Sequence, residues 1–349
     1  MEQINVGIIG SSYAGKFHAR SYQECPDVNV VAVAARNEEN LKDFCKNFKV
    51  AKFYSDYRKM LEVEDIQMVS VCVPNTLHKE VVIQAANAGK HIVCEKPLAT
   101  TLEDCDEMIK ACQENNVKLM YAEDFVFAPA IVRAKNIFEE GAIGDTLYIK
   151  AKSSHSGSRS IYAQKLKYAG GGVLLHHGIH AVSTVMWLKE KNVIEVIGKA
   201  SKGSEGNLIH PEFEGEDWAA GILTFSDNTF SIIQSDYVTK GGSEHRFEVY
   251  GTKGNIRISF THNSPLLVYS SEGYKYAMDK AETTKGWTFP VVDEERYVGY
   301  RDEIRHFVDC VKYNKEIKSG ARAEDGREAL EIVLAIYESA KENKPIKIK

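Results

Sequence analysis

The order of apolar and polar positions in the first third of the chain predicts buried strands that alternate with helices. Residues 4–9 (INVGII) form a continuous apolar run, which is typical of a parallel strand covered on both faces. Runs of the same kind follow in VNVVAVAA, MVSVCVP, KHIVCEKP and KLMYAE. The segments between these runs predict helices from Tyr13 to about Glu24, from about Glu38, from Thr76 to Ala88 and from about Leu102 to Asn115. Five buried strands separated by helices predict an open, doubly wound parallel sheet over residues 1–122.

After residue 122 the pattern changes, and a second domain is predicted over residues 123–349. Polar and apolar residues alternate in TLYIKAKSSH, VIEVIGKAS, DWAAGILTFS, NTFSIIQSDY, EHRFEVYGT and GNIRISF, which predicts strands, and FSDNTF and YGTKGNI predict hairpin turns. Helices are predicted from about Pro129 to Glu140 and over residues 324–341. The expected architecture is an α+β domain with a large, mainly antiparallel open sheet covered by helices on one face. Aliphatic and aromatic residues alternate on the other face, so we expect a homo-oligomer, a dimer or a tetramer, that buries this sheet.

Composition and charge argue against several classes of protein. The 349 residues include 44 Lys and Arg against 49 Asp and Glu, a net charge of −5, which disfavours a nucleic-acid partner. The longest apolar runs fall well short of a membrane span, and the N-terminus lacks the basic flank and cleavage site of a signal peptide. The seven cysteines form no CxxC pair, and buried reduced thiols explain them better than a disulfide framework or a cysteine metal site. We therefore expect a cytoplasmic protein without a membrane or nucleic-acid partner.

The turn after the first strand predicts a dinucleotide-binding site of the Rossmann type. Gly10 and Gly15 occupy the first and last glycine positions of G-x-G-x-x-G, and Ser12 replaces the second glycine. The first glycine permits the tight turn, the last permits close packing of helix on strand, and the helix start at Tyr13 and Ala14 can hold a pyrophosphate. A plain turn is the alternative, but the position after a first strand and before a helix favours dinucleotide binding.

The end of the second strand bears on the choice between NAD and NADP. An acidic residue there would bind the ribose hydroxyls of NAD, but the chain has Ala35, Arg36 and Asn37. With no carboxylate to repel a 2′-phosphate and a guanidinium beside it, the sequence slightly favours NADP. The alternative is that Arg36 lies flat over the adenine while Asn37 binds the ribose, in which case NAD is the cofactor.

The tripeptide Glu95-Lys96-Pro97 stands at the end of the fourth predicted strand, where the nicotinamide of a bound dinucleotide should lie. A lysine in this position can stabilise an alkoxide as hydride leaves the carbon. The alternative is a lysine that only extends its ammonium group into solvent from a strand end.

The chain resembles the Gfo/Idh/MocA family of NAD(P)-dependent oxidoreductases, which act mostly on sugars, inositols and related polyols. The matching segments are GIIGSSYAGKFHA, VCVPNTLH, GKHIVCEKPLA, GGGVLLHHGIH and EDGREALEIVLAIYESAKENKPI, in this order along nearly the whole chain. Glu-Lys-Pro is the most specific of them. The resemblance implies that the last predicted helix packs near the first domain.

The resemblance also implies roles for residues of the first domain. Lys96 would be the catalytic lysine, and Glu95 would act at the nicotinamide end of the cofactor. Pro74, Asn75 and His78 would lie on a loop that lines the cofactor, although a turn and a helix cap also explain Asn75 and His78.

The segment GGGVLLHHGIH, residues 170–180, predicts a glycine turn followed by a buried helix. In a regular helix, His176 and His180 lie on one face and His177 points about 100° away. By resemblance, His180 is the histidine that removes the hydroxyl proton, a task that a pKa near neutrality suits. The family has an aspartate four positions earlier, where this chain has His176. An imidazole can relay protons or contact the substrate, but it cannot supply the negative charge of the aspartate.

Metal binding is the main alternative for these histidines, because histidines at i and i+4 are a common ligand pair. His155, Glu123 or Asp124 would complete such a site. The lack of a carboxylate within the pair and the metal-free chemistry of the family favour catalysis or substrate contact, so no metal is expected.

Other polar residues are candidates for binding a sugar hydroxyl or a carboxylate. His155, Arg159 and Tyr162 precede the glycine turn, Glu123 follows the fifth strand, and His177 lies in the histidine segment. The first four are equally well explained as parts of solvated loops.

The sequence thus predicts an NAD(P)-dependent oxidoreductase that interconverts a secondary alcohol and a ketone on a sugar, inositol or sugar-derived polyol. One alternative is a redox-neutral enzyme that keeps and recycles its cofactor during elimination, epimerisation or glycosidic cleavage, and His176 favours it. The second alternative is a non-catalytic regulator that responds to a dinucleotide, and the presence of both Lys96 and His180 argues against it.

Overall fold

The computed structural model describes residues 3–260, 268–270, 283, 285–288 and 294–348. The chain divides into two compact units, the first formed by residues 1–127 and 299–327 and the second by residues 128–298 and 328–349. The unit boundary therefore lies after residue 127 and not after residue 122. Residues 299–327, which the sequence analysis assigned to the second domain, belong to the first unit.

Contacts of an aromatic pair and of an ion pair explain why residues 299–327 join the first unit. The ring of Tyr300 packs against that of Phe17, with 5.0 Å between centroids. The guanidinium of Arg305 donates to the carboxylate of Asp27 at 2.6 Å, and the pKa of Asp27 is lowered by this bond and by Lys312. Neither contact has a periodic signature in the sequence, so the discontinuous unit was not predicted.

The elements of the first part of the chain follow the predicted alternation of strand and helix. They are β1 (Ile4–Ile9), α1 (Tyr13–Gln23), β2 (Val28–Ala34), α2 (Glu38–Phe48), β3 (Lys52–Tyr54), α3 (Tyr57–Leu61), β4 (Met68–Val71), α4 (His78–Asn87), β5 (His91–Glu95), α5 (Leu102–Glu114) and β6 (Leu119–Ala122).

Six parallel strands form the sheet of the first unit, in the order β3-β2-β1-β4-β5-β6. The predicted doubly wound parallel sheet is confirmed, and its five predicted strands are present. The additional strand β3 was missed because it is three residues long, and Lys52 and Phe53 are exposed at the sheet edge, so it has no buried apolar run. The carboxyl ends of parallel strands share one edge, which places the loops after β1, β2, β4 and β5 there.

The remaining elements include the predicted six strands and the predicted helices near residues 129–140, 179–189 and 324–341, together with elements that were not predicted, among them the helix Tyr300–Lys312. They are α6 (Pro129–Glu139), β7 (Thr146–Ser154), α7 (Ile161–Gln164), α8 (Leu166–Ala169), α9 (Ile179–Lys189), β8 (Val193–Ala200), β9 (Trp218–Phe225), β10 (Phe230–Asp236), β11 (Glu244–Gly251), β12 (Asn255–Ser259), β13 (Val268–Ser270), β14 (Gly286–Thr288), α10 (Glu294–Val298), α11 (Tyr300–Lys312), α12 (Ala323–Glu342) and β15 (Ile346–Lys347).

The second unit contains a seven-stranded sheet in the order β12-β11-β7-β10-β9-β8-β15. The pairings are antiparallel except for β7 with β10, which is parallel. The predicted mainly antiparallel sheet is therefore confirmed, as are the hairpins β9–β10 and β11–β12. Helix α9 is buried along nearly its whole length and packs on β7 and β10.

One face of this sheet presents an apolar stripe. Ile232 pairs with Ile222, which pairs with Ile197, and these three side chains are 41, 42 and 46% exposed. Such a stripe on a sheet face is typical of a surface that a second protein covers. Self-association through this face remains a prediction.

The cysteines have the buried, reduced thiols that the sequence predicts. All seven cysteines are free thiols, and six of them are buried. Burial raises the pKa of Cys72 and Cys94 well above the usual value, which makes these thiols poor nucleophiles.

In the part of the chain that the structure describes, every helix is too short or too polar to cross a bilayer.

A buried carboxylate fixes the start of the histidine segment in the second unit. Glu216 Oε1 accepts hydrogen bonds from the amide of Leu174 at 2.9 Å and from the hydroxyl of Tyr337 at 2.7 Å. The backbone carbonyl of Glu216 accepts from the amide of Val173 at 2.9 Å. A Cβ atom at Gly172 would overlap Glu216, so only glycine allows this approach. The glycine run is thus a close-approach turn, as the sequence predicted.

We predict that Glu216 makes the stability of the protein depend on pH. Burial raises the pKa of Glu216 from 4.5 to about 7, so the folded chain binds a proton more tightly than the unfolded chain between these values. The contribution of Glu216 to the stability of the protein is therefore greatest below pH 4.5. This contribution is lost as the pH rises through about 7. The loss amounts to about 3 kcal/mol. Denaturant unfolding of the wild type and of Glu216→Gln should show a difference in unfolding free energy that changes with pH by this amount.

Glu205→Gln, on an exposed 3-10 turn of the same unit, is the matched control and should give a difference that stays constant with pH. A constant difference for Glu216→Gln as well would contradict the prediction.

Candidate functional site

The dinucleotide turn of the first unit has the geometry that its glycines require. Gly10 has a φ of +115°, and a Cβ atom there would overlap the carbonyl of Cys72. A Cβ atom at Gly15 would overlap the carbonyl of Gly10. Ser12 is the N-cap of α1 with a φ of −88°, a conformation that any residue adopts, which explains why serine can replace the second glycine.

The start of α1 fits the pyrophosphate of a dinucleotide. The helix begins at Tyr13, Ser12 and Tyr13 are exposed, and Ala14 is half-buried. The first four amides of an α-helix have no acceptor within the helix, and its positive dipole end attracts anions. These amides follow a turn that requires glycine at two positions. Free amides at the start of a helix bind phosphate groups.

The loop after β2 places Arg36 and Asn37 on the surface, both exposed. Asn37 is the N-cap of α2, and its side-chain carbonyl accepts a hydrogen bond from the amide of Asn40 at 2.9 Å. This oxygen is therefore already used to cap the helix. Arg36 extends its guanidinium from the same exposed loop.

The loop after β4 is joined to the Glu-Lys-Pro loop by His78. The Nδ1 atom of His78 lies 2.9 Å from the carbonyl oxygen of Pro97, and its Nε2 atom lies 3.0 Å from that of Val73. His78 is fully buried, and burial lowers its pKa, so the neutral ring donates to one carbonyl at a time. Pro74 and Asn75 begin the 3-10 turn Asn75–Leu77 just before it. His78 thus holds the two loops together rather than being exposed to a ligand.

Glu95 and Lys96 occupy the carboxyl end of β5, as predicted. Glu95 is buried, Lys96 is half-buried, and the Lys96–Pro97 peptide is cis. Glu95 Oε2 accepts a hydrogen bond from the backbone amide of Lys96 at 3.1 Å. His18 Nε2 lies 3.2 Å from Glu95 Oε1. The sequence analysis missed His18, whose only signal is a polar residue on the buried face of α1.

The end of β6 contributes two buried carboxyl groups. Glu123 Oε2 accepts from the hydroxyl of Tyr121 at 3.4 Å, and Glu123 is fully buried. Burial raises the pKa of Asp124 well above its usual value, with contributions from Glu123 and Glu95 that Lys96 opposes. The surroundings of Asp124 therefore favour its protonated form. The solvated loop considered for Glu123 is not what the structure shows, because Glu123 and the adjacent Asp124 are both buried.

The histidine segment of the second unit departs from the predicted regular helix. Residues Leu174–Gly178 form a π-helical turn, and α9 begins at Ile179. A π-turn bonds residues five apart instead of four, so the segment is not the regular helix for which the alignment of His176 with His180 was predicted. The prediction that His177 points away from His180 was wrong: their rings lie in contact, with 5.6 Å between centroids.

Three histidine rings contact His177 in the second unit. Ring centroids lie 4.6 Å from His177 to His155, 5.1 Å to His245 and 5.6 Å to His180. His245 Nδ1 is 3.1 Å from the hydroxyl of the buried Ser153. The sequence analysis missed His245, because it lies on β11, far along the chain, and only the pairing of β11 with β7 brings it close.

The remaining predicted substrate residues have different environments. His155 is buried at the end of β7, and its Nδ1 accepts from the amide of Gly157 at 3.0 Å, which leaves the proton of the neutral ring on Nε2. Arg159 and Tyr162 are exposed, and the ring of Tyr162 packs on that of Tyr168. The structure thus brings His155, His177 and His180 together and places Arg159 and Tyr162 on the surface.

Comparison with known proteins covers nearly the whole chain. Residues 4–123 match the Gfo/Idh/MocA model described as an oxidoreductase family with an NAD-binding Rossmann fold. Residues 135–348 match the model of the C-terminal alpha/beta domain of the same family.

The chain is also similar to individual proteins, at 23 to 32% sequence identity. The chain is 26% identical to myo-inositol 2-dehydrogenase of Thermotoga maritima over 99% of this chain and 98% of the relative. It is 32% identical to 2,7-anhydro-N-acetylneuraminate hydratase of Mediterraneibacter gnavus over 74% and 68%. The crystal structure of GenD2 from gentamicin A biosynthesis, in complex with NAD, superposes with a TM-score of 0.93 at 23% identity, covering 100% of this chain and 97% of the other.

The two domain models and the fold lead to the same assignment. The first unit has the glycine turn and the parallel sheet of an NAD-binding domain, and the second has the large mixed sheet of the C-terminal domain. The chain therefore belongs to the Gfo/Idh/MocA family of NAD-dependent oxidoreductases.

Proposed function

We propose that the protein interconverts a secondary alcohol and a ketone on a sugar, an inositol or a sugar-derived polyol, with NAD(P) as hydride carrier. The position of Lys96 carries this proposal. It is a half-buried lysine directly after a buried parallel strand, at the sheet edge where a dinucleotide on the glycine turn of β1 presents its reactive ring. The similarity to myo-inositol 2-dehydrogenase supports a polyol as substrate.

Two side chains divide the chemistry in this proposal. The Lys96 ammonium stabilises the negative charge that develops on the substrate oxygen. The His180 imidazole takes the hydroxyl proton in the oxidative direction and returns it in the reductive one. A bound nicotinamide supplies the hydride acceptor or donor. The His177 ring contacts that of His180 and also packs against His155 and His245, so these rings can carry its proton further or bind hydroxyl groups.

We predict that Lys96→Ala and His180→Ala each lower turnover by about two to four orders of magnitude and leave dinucleotide binding nearly intact. The glycine turn and the start of α1, which would hold the pyrophosphate, are unchanged in both variants. Steady-state absorbance of reduced nicotinamide with a panel of inositols, hexoses, uronates and glycosides measures the turnover, and fluorescence titration measures the binding.

Lys199→Ala, which removes a surface lysine bonded to Asn343, serves as the control and should keep its turnover. Wild-type turnover in the Lys96 or His180 variant would refute the proposed roles.

The proposed cofactor preference is for NADP and rests on Arg36. Arg36 is exposed on the loop after β2, Ala35, Arg36 and Asn37 include no carboxylate, and the side-chain oxygen of Asn37 caps α2. A carboxylate would repel a 2′-phosphate, whereas a guanidinium binds it well.

We predict that Arg36→Ala weakens the binding of NADPH by about tenfold or more and leaves that of NADH unchanged. Titration of both cofactors against the same preparation measures the ratio. Lys42→Ala, a neighbouring exposed cation on α2, should leave the ratio unchanged. Equal losses for the two cofactors in Arg36→Ala would instead place the guanidinium over the adenine.

A second candidate function is redox-neutral conversion of a sugar by a cofactor that stays bound and is recycled. His176 favours it, because a base and proton carrier replaces the aspartate of the family pattern. The 32% identity to 2,7-anhydro-N-acetylneuraminate hydratase supports the same reading. Such an enzyme needs a proton carrier for a step other than the hydride transfer, and an imidazole can fill that role.

For this second function we predict that the reduced-nicotinamide band grows to one equivalent per protein and then decays, while chromatography shows an altered sugar. His176→Asn, which keeps polarity but cannot carry a proton, should retain the band and lose at least about tenfold in sugar conversion. Steady consumption of free cofactor would rule out this function, and unchanged conversion in His176→Asn would remove the role of His176.

A further inference from the structure

We propose that Tyr300, the first residue of α11, contacts the cofactor: its hydroxyl donates a hydrogen bond to the nicotinamide riboside half of the bound dinucleotide. This half consists of the nicotinamide and the ribose that carries it. The inference rests on the proposed function, since it takes NAD(P) as the cofactor. It adds a residue from a helix that the sequence analysis assigned to the second domain and that the fold places in the first unit.

The ring of Tyr300 is fixed by packing inside the first unit. Its centroid lies 5.0 Å from that of Phe17 and 6.0 Å from that of His18. Phe17 also packs on Tyr13, with 4.5 Å between the ring centroids. Phe17 therefore joins Tyr300 to the residue that begins α1, the helix whose first amides are suited to a pyrophosphate.

The hydroxyl of Tyr300 is open to solvent rather than bonded within the fold. Tyr300 is 8% exposed, and its hydroxyl has no hydrogen-bond partner in the part of the chain that the structure describes. The hydroxyls of Ser21 and Tyr237 also lack partners there, and they are closed off from solvent. The Tyr300 hydroxyl is not among these enclosed atoms, so it belongs to the small part of the residue that stays accessible.

Packing does not explain why this residue is a tyrosine. A buried aromatic ring stabilises the fold through its apolar area, and the hydroxyl of a buried tyrosine normally has a hydrogen-bond partner. Phenylalanine would provide the same ring for Phe17 and His18 without a polar atom that needs such a partner. A hydroxyl that the fold leaves open on a fixed, largely buried ring therefore indicates a ligand at this point.

The neighbours of the Tyr300 phenol place it at the edge of the sheet where a dinucleotide is expected. Burial raises the pKa of Tyr300 well above its usual value, and Glu95, Asp124, Tyr13 and Glu303 raise it further. Glu95 ends β5, Asp124 follows β6, and Tyr13 begins α1. The phenol is therefore within electrostatic range of the helix start suited to a pyrophosphate and of the strand ends beside Lys96.

The same neighbours indicate which part of the dinucleotide the hydroxyl would contact. Because its pKa is raised, the phenol stays protonated at neutral pH and can donate a hydrogen bond. The groups that act on it are carboxyls and phenols rather than cations, which disfavours a phosphate as its partner. Uncharged acceptors remain, and the ribose and carboxamide oxygens of the nicotinamide riboside half are acceptors of this kind.

The test is the binding of NADH, NADPH and ADP to the full-length Tyr300→Phe protein, measured by calorimetric titration and thus without turnover. The affinity for both reduced dinucleotides should fall by about three- to tenfold, because one hydrogen bond is lost. ADP contains the two phosphates and lacks the nicotinamide riboside half, so its affinity should change by less than about twofold.

Tyr313→Phe is the matched control. Tyr313 directly follows α11, and its ring lies beside the ammonium groups of Lys312 and Lys315 at the opposite end of that helix. This variant should bind all three ligands with wild-type affinity. The denaturant midpoint of Tyr300→Phe should equal that of the wild type, because its hydroxyl has no bond to lose among the described residues.

Three results would overturn the inference. The first is wild-type affinity of Tyr300→Phe for NADH and NADPH. The second is an equal loss of affinity for ADP, which would show that the change acts through the pyrophosphate end. The third is unchanged dinucleotide binding with a higher KM for the polyol, which would make the hydroxyl a substrate contact.

Lys96→Ala separates this inference from the proposed function. Wild-type turnover in Lys96→Ala, together with a selective loss of dinucleotide affinity in Tyr300→Phe, would refute the role of Lys96 and support the cofactor contact of Tyr300. Loss of turnover in Lys96→Ala with unchanged binding in Tyr300→Phe would support the role of Lys96 and refute the inference.

Discussion

The hydrogen bond between His18 and Glu95 joins the helix of the dinucleotide turn to the strand that ends in Lys96. Both partners are buried, and a carboxylate taken out of water is stable only where donors replace the lost hydration. His18 and the amide of Lys96 provide such donors. The strand end that precedes the candidate catalytic lysine is therefore bonded to a residue in the first helix of the chain. The same helix starts with the free amides that are suited to a pyrophosphate.

In the second unit, a buried glutamate likewise accepts hydrogen bonds at the start of the histidine segment. Glu216 is buried beneath the glycine turn and accepts from the amide of Leu174 and from Tyr337. The first turn of the segment needs acceptors for its free amides, and a buried carboxylate supplies one at the point where Gly172 allows close approach. His177 lies in the π-turn that follows, and its ring contacts that of His180 at the start of α9. Glu216 thus contributes to the placement of the candidate proton-transferring histidine without being near it in sequence.

The resemblance to the family implies that His176 stands where an aspartate is usual, which would remove a negative charge from the second unit. The neighbouring His177 packs against the imidazoles of His155 and His245. Neighbouring imidazoles disfavour one another's protonation. Such a group suits proton transfer near neutral pH, which is common to the dehydrogenase and the redox-neutral function. The difference between these two functions lies in whether the cofactor leaves, a property of binding strength rather than of the histidines alone.

The fold of this protein was predictable from periodicity because apolar burial has a local signature. Continuous runs such as INVGII marked the parallel strands, and alternation marked the strands of the second sheet. The short edge strand at Lys52–Tyr54 has no buried apolar run and was therefore missed. Residues 299–327 join the first unit through contacts with Phe17 and Asp27, which have no signature in the sequence pattern. Glycine spacing likewise predicted the turn at Gly10, whereas the roles of Lys96 and His180 were implied by the resemblance to the family and stay predictions.

The partners of those residues were decided by the tertiary structure. His18 meets Glu95 only because α1 packs over β4 and β5, and His245 meets His177 only because β11 pairs with β7. The π-turn at Leu174–Gly178 forms in the packed setting of Glu216 and Tyr337 and overrides the regular helix that the sequence predicts. The sequence by itself determined which elements form and which residues stand at their ends, since both depend on neighbours within a few positions. The hydrogen bonds that tune the site join residues far apart in the chain, and only packing brings such residues together.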